Sequence, residues 1–160
     1  MKIRVAGHPI HPMVVHFPVA LWTLAVAADA GGWIWRAPVF WTLSFYGQAL
    51  GDVAGAAAIL TGWLEFTTLA RAAPAQDVAA AHMLSMCGAW LAFLVSLALR
   101  KFPPQTPATI WPTAIAAAGW LAMAIGGWLG GKLVYHFGIG VQSLEPEAKG
   151  PRASAPGKGR

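Results

Sequence analysis

Four long apolar runs govern what this chain can become: Met13 to Trp33, Phe40 to Phe66, Val78 to Leu99 and Ala108 to Tyr135. A bilayer's hydrocarbon core takes about 20 helical residues at a rise of about 1.5 Å each, and every run reaches that length. Charged residues make up 11% of the chain, against about 25% in an average soluble domain. The mean hydropathy is +0.55. These features predict an all-α integral membrane protein, a four-helix up-down bundle with both termini on the same side. The bundle should occupy residues 1–141. The basic tail, 142–160, is rich in Pro, Gly, Ala, Lys and Arg, lacks apolar periodicity and is expected to be disordered. The N-terminal run imitates a signal peptide, but Pro9, Pro12 and Pro18 and three histidines interrupt it, so it reads as a retained helix.

Charge sets the expected topology. The terminal side collects Lys2, Arg4, Arg71, Lys132, Lys149, Arg152, Lys158 and Arg160, and the opposite side only Arg36, Arg100 and Lys101. The positive-inside rule then makes the termini cytoplasmic. The net charge of +5 is scattered singly, which argues against nucleic acid and for lipid headgroups as its partners. Trp33, Trp35, Trp41 and Trp111 should lie near one interface, and Trp63 and Trp128 near the other. Glycine stripes (Gly47, Gly51 and Gly55; Gly126, Gly127, Gly130 and Gly131) predict close helix contacts and carry no functional information. Cys87 is the single cysteine, so no intrachain disulfide can form, and the absence of CxxCH removes covalent c-type haem.

The chemistry-bearing residues are histidines. His8, His11, His16, His82 and His136 all fall at the terminal-side face of a four-span layout. Imidazoles at membrane level are costly to bury and are functional candidates by default. In the block GHPIHPMVVHFPVAL (residues 7 to 21), helix should begin near Pro12. That leaves His8 and His11 on an extended lead-in and His16 one turn inside. His82 is one turn into the third span, and His136 lies past the fourth, where Gly138 and Gly140 permit a sharp reversal. His16 and His82, at matching depth on diagonal helices, form the expected axial pair for a haem b, with His8, His11 and His136 completing or lining the site. Met83 and Met86 are alternative soft ligands. The plainer reading is that these histidines cap helix ends, meet headgroups or bond carbonyls freed by proline.

Carboxylates form a second constellation. Asp52 lies mid-span with Gln48 and Ser44 one and two turns before it, and Glu65 lies near the terminal-side end of the same helix. A mid-membrane carboxylate needs a proton, a bond to Gln48 or a backbone group, or an open cavity. Asp52 and Glu65 therefore read either as a proton relay towards the histidines or as polar links between helices. No catalytic residue is assigned.

The segments GHPIHPMVVHFPVAL and GGKLVYHFGIGV (130 to 141) resemble the DUF2231 family of predicted prokaryotic membrane proteins, and the likeness runs from Gly7 to Val141. The resemblance implies a four-helix domain of the prokaryotic inner membrane, found beside or fused to haem or Rieske-type redox domains. It brings no assigned activity. Three readings follow: a b-type cytochrome-like electron-transfer module working with quinone or a haem or Rieske-type protein; a non-redox membrane scaffold or subunit; and a metal-ion binding or transport protein using the histidines with Asp52 and Glu65. Transport would need a homo-oligomer, because four spans show no inverted repeat.

Overall fold

The computed structural model describes residues 4–5, 8–67, 74–102, 104 and 107–141, and for 4, 5, 8 and 9 the backbone alone. Lys2, Arg71, the tail from 142 onwards and the His8 imidazole, all named above, lie outside the described atoms. A two-residue antiparallel pairing of β1 (Arg4–Val5) with β2 (His8–Pro9) leads into five helices. These are α1 (Ile10–Val14), α2 (His16–Trp35), α3 (Pro38–Phe66), α4 (Ala75–Ala98) and α5 (Ile110–Tyr135). α1 and α2 share one span, Ile10–Trp35, so the four spans have 26, 29, 24 and 26 residues.

The side-chain distribution identifies the solvent. Asp29, Ser44, Gln48, Asp52 and Ser96 are buried, whereas Leu24, Leu50, Val53, Leu84, Leu121, Ile125 and Trp128 point outwards. In water that arrangement would be inverted. In lipid it is favourable, because acyl chains solvate Leu and Val while polar groups find partners inside. The protein is an all-helical membrane bundle, and its surroundings are a lipid bilayer.

Two hairpins build the bundle. α2 packs along α3 and α4 along α5, and the α3–α4 and α2–α5 contacts close the ring. The first turn is tight: Arg36 takes a left-handed conformation (φ 57°) and bonds back to Gly32 at 3.0 Å. Its guanidinium lies 5.1 Å from the Trp33 ring, and Pro38 then starts α3. Glycines let the helices close. A Cβ on Gly47 would sit 3.2 Å from Ala25, and one on Gly51 2.6 Å from Trp22. Trp35, Trp63, Trp111 and Trp128 are exposed as interface residues should be, but Trp41 is 2% exposed. It packs against the Gly32 backbone and edge-on to Trp33 instead of reaching headgroups.

The first and third spans run parallel on the diagonal of the bundle. Three contacts mark their levels: the His11 and His82 rings at 6.4 Å between centroids, Trp22 stacked on Phe93 at 4.7 Å, and the Asp29–Arg100 ion pair. The members of each pair are 71 positions apart in the chain. The two spans therefore advance in step, residue for residue.

Candidate functional site

A proline kink places the first imidazole. Pro18 has no N–H to give Val14, and its ring crowds that carbonyl, so the helix breaks at Val15 between α1 and α2. Helix starts at Ile10, earlier than Pro12, and His11 belongs to its first turn instead of an extended lead-in. Its side chain turns inwards to α3, where Nδ1 lies 2.9 Å from the Ala58 carbonyl and 3.3 Å from Thr61 Oγ1. The ring rests on Gly62, where a Cβ would come within 2.8 Å of it.

The second hairpin repeats the device. His82 Nδ1 lies 2.7 Å from the Gly126 carbonyl, and its ring sits 3.1 Å from where a Cβ of Gly130 would be. In both hairpins the receiving carbonyl belongs to the following span, and the glycine that makes room comes four residues later. The two halves thus present matching imidazoles across a pseudo-twofold axis along the membrane normal, the parallel kind of internal repeat. A carbonyl oxygen can only accept, so each Nδ1 carries the hydrogen and each neutral ring keeps Nε2 as an acceptor. Two acceptors cannot bond one another. The arrangement is what a ligating histidine receives from its surroundings: one nitrogen fixed by a carbonyl, the other left basic.

Both rings line a cavity of about 360 Å³. Its walls include Trp22, Met83, Met86, Met123, Glu65 and the backbones of Gly55, Gly62, Gly127 and Gly130. At its mouth the α5 terminus reverses at Gly138 (φ 65°) and Gly140 (φ 86°), as their sequence position suggested, and carries Ile139 and Gly140 to the rim.

The expected axial pair needs correction. His16 is exposed on the outer face of α2, beside Val15, Val19 and Thr23, and is not a wall of the cavity. Five positions after His11 it lies about 140° away around a helix, so one of the two must face outwards. His136 caps α5, is exposed and meets only Phe137 among rings. Of the four histidine side chains described, His11 and His82 meet and His16 and His136 do not join them. Among the described residues no group of three or more His, Cys, Asp or Glu could hold a metal ion.

The carboxylates also differ from expectation. Asp52 does not bond Gln48: Oδ1 accepts from Trp22 Nε1 at 3.1 Å, and its backbone carbonyl accepts from Trp90 Nε1 at 2.9 Å. Oδ2 is buried with no hydrogen-bond partner among the described residues. Gln48 belongs to a cluster further along the axis. With its amide oxygen turned to Arg100 it accepts from Nε and Nη2 at 3.0 and 2.7 Å and donates to Ser96 at 2.9 Å. We assign that orientation because it satisfies both amide groups. Arg100 also grips Asp29 through both nitrogens, and Ser96 donates to the Pro112 carbonyl at 2.8 Å. The Asp29–Arg100 clamp was not foreseen, since Arg100 reads as a loop residue; an acid and a base both near the far ends of diagonal spans were the available signal.

Fold and site together define a class: a four-span α-helical membrane protein with paired imidazoles in an internal cavity at one end. The sequence profile of the family described as "Predicted membrane protein (DUF2231)" matches residues 7–143, and the chain belongs to that family. No curated protein and no solved structure matches it significantly.

Proposed function

We propose that this protein is a b-type cytochrome-like electron-transfer module in which His11 and His82 are the residues that would hold a haem b. The observation that carries the reading is the ring spacing. A metal–imidazole bond is about 2.0 Å and a ring nitrogen lies about 1.1 Å from its centroid, so two histidines sharing one ion in line would have centroids about 6.2 Å apart. The rings here are 6.4 Å apart. The cavity falls in the roughly 300–1,000 Å³ range of small-molecule and cofactor pockets, and its lining is mostly apolar. When bound, haem supplies a reversible one-electron change whose potential the ligands and burial tune. The chain's own part is to hold both Nε2 atoms basic, exclude water and fix the ring planes.

Membrane quinone or a haem- or Rieske-type redox protein fits as the exchange partner, the prokaryotic inner membrane as the location and the cytoplasm as the side of the termini. The charge balance of the sequence supports that orientation. A second reading has one specific support: Met83, Met86, Met123 and Cys87 all line the cavity, a soft set suited to a cuprous ion between the two imidazoles. Transport is disfavoured, because the Trp22–Phe93 stack and the Asp29–Arg100 cluster fill the axis beyond the cavity.

The test is an absorption spectrum of detergent-solubilised protein from haem-replete cells, oxidised and then reduced, with metal analysis of the same sample. Soret and α bands are expected, and either His11→Ala or His82→Ala should remove them or convert them to a high-spin spectrum. Colourless protein carrying copper supports the second reading. Colourless, metal-free protein leaves a non-redox scaffold.

A further inference from the structure

We propose that the Asp52 carboxyl is a redox-linked proton site: it takes up a proton when the centre held by His11 and His82 gains an electron, and releases it on oxidation. This rests on the haem reading above. The balance is one electron from a one-electron donor of the hydroquinone or redox-protein class and one proton from water. The only covalent bond made is O–H at the carboxyl, and it breaks again when the electron leaves.

The first support is position. Trp22 is a wall of the cavity and is 1% exposed, and its indole donates to Asp52 Oδ1. Asp52 thus stands one hydrogen bond behind the cavity wall, 6% exposed, with Oδ2 buried and unpartnered among the described residues. A carboxylate so placed is poorly solvated, and adding a proton removes the cost.

The second support is an internal control. Trp22 corresponds to Phe93, 71 positions on, and the 68-position step that takes Ala58 to Gly126 and Gly62 to Gly130 takes Asp52 to Trp120. Phe93 belongs, with Trp22, to the buried apolar cluster, and Trp120 packs against it. The other hairpin therefore carries no carboxyl at this position.

The third support is what faces Asp52 from each element. On α2 the group facing Asp52 is the Trp22 indole, which does not titrate. On α4 it is the Trp90 indole, bonded to the Asp52 backbone carbonyl. On α3, Gln48 one turn away is neutral and belongs to the Arg100 cluster, where Asp29 and Arg100 already compensate one another. His11 and His82 are engaged by carbonyls and, in the haem reading, by iron. Glu65 lines the cavity wall on the same helix. An electron added in this low-dielectric region makes a negative charge that water screens weakly, and Asp52 is the buried group able to offset it by gaining a proton.

The experiment is a spectroelectrochemical titration of the α band in the full-length protein between pH 5 and pH 9, with reduced-minus-oxidised infrared difference spectra. The wild-type potential should fall as pH rises, towards the limit set by one proton per electron. A tenfold change in proton activity per pH unit converts to about 59 mV for one electron. Asp52→Asn should flatten that slope and remove a carboxyl C=O signal that appears on reduction. Asp52→Leu, an apolar replacement of similar size, should retain its colour and show the same flat slope. An unchanged slope in both variants, or a pH-independent wild type, overturns the proposal and leaves the haem reading standing. A colourless wild type overturns both.

Discussion

The two ends of one diagonal meet the same problem in opposite ways. At the far end Asp29 and Arg100 bring together a donor and an acceptor of opposite charge, and the surrounding Ser44, Gln48 and Ser96 occupy the remaining positions. The ion pair and the Gln48 amide are satisfied within that cluster. At the near end His11 and His82, both half-buried, each donate Nδ1–H to a backbone carbonyl and do not bond one another. The far end is therefore a fastening, and the near end is the site to which the proposed function assigns a cofactor.

The comparison breaks first at the fastening. Asp29 is 1% and Arg100 4% exposed by side chain, so removing one partner strands the other's charge. Arg100→Leu should cost about 3–5 kcal/mol, whereas Asp29→Leu/Arg100→Leu together should cost far less, because an apolar pair can replace a buried ion pair. Thermal unfolding in detergent measures both. A single variant as stable as wild type would mean that the guanidinium reaches water or headgroups, and the contrast between the ends would disappear. The same variants sharpen it in the other direction: the double variant should keep the spectrum of the near end, since nothing at the cavity changes.

A smaller effect is expected from the glycines beneath the imidazoles. Gly62→Ala puts a Cβ within 2.8 Å of the His11 ring, and Gly130→Ala within 3.1 Å of His82, whereas nothing lies within 4 Å of a Cβ on Gly127. Overpacking of this kind costs about 1–3 kcal/mol. We expect Gly62→Ala to lose cofactor occupancy most, Gly130→Ala less and Gly127→Ala little, read as the ratio of Soret to protein absorbance. Equal loss at all three would show that the cavity responds to any added bulk and that the carbonyl-and-glycine seat beneath each ring has no special role.

Span number, the shared side of the termini and the glycine contacts were legible in the sequence, because each follows from one-dimensional length and spacing. Helix phase was not carried through. Depth alone chose His16 as partner of His82, yet the five-residue step between His11 and His16 already forbids both from facing inwards, and the break before Pro18 decides which does. The partners of Asp52 and Gln48 were missed for another reason. They come from other helices, Trp22 and Arg100, and a ladder read along α3 alone favours the i, i+4 neighbour. The constant offset of 71 was present in the numbers but becomes meaningful only once the diagonal contacts are known.

The smallest expected effect tests that phase argument. His16 is exposed on the outer face of α2, next to a shallow surface groove formed by Val19, Thr23 and Ala27. Exposed substitutions away from any network usually stay within about 0.5 kcal/mol, so His16→Ala should leave unfolding, band positions and reduction potential where they were. His11→Ala, five residues earlier, should remove the low-spin spectrum. Both histidines sit on the same span and near the same interface, so a loss of headgroup contacts or of helix-end capping would affect them alike. Only direction around the helix separates them. If His16→Ala also erased the bands, the kink at Val15 would have to rotate the first turn differently in the loaded protein, and the matched pair across the pseudo-axis would give way to the deeper one that depth alone suggests.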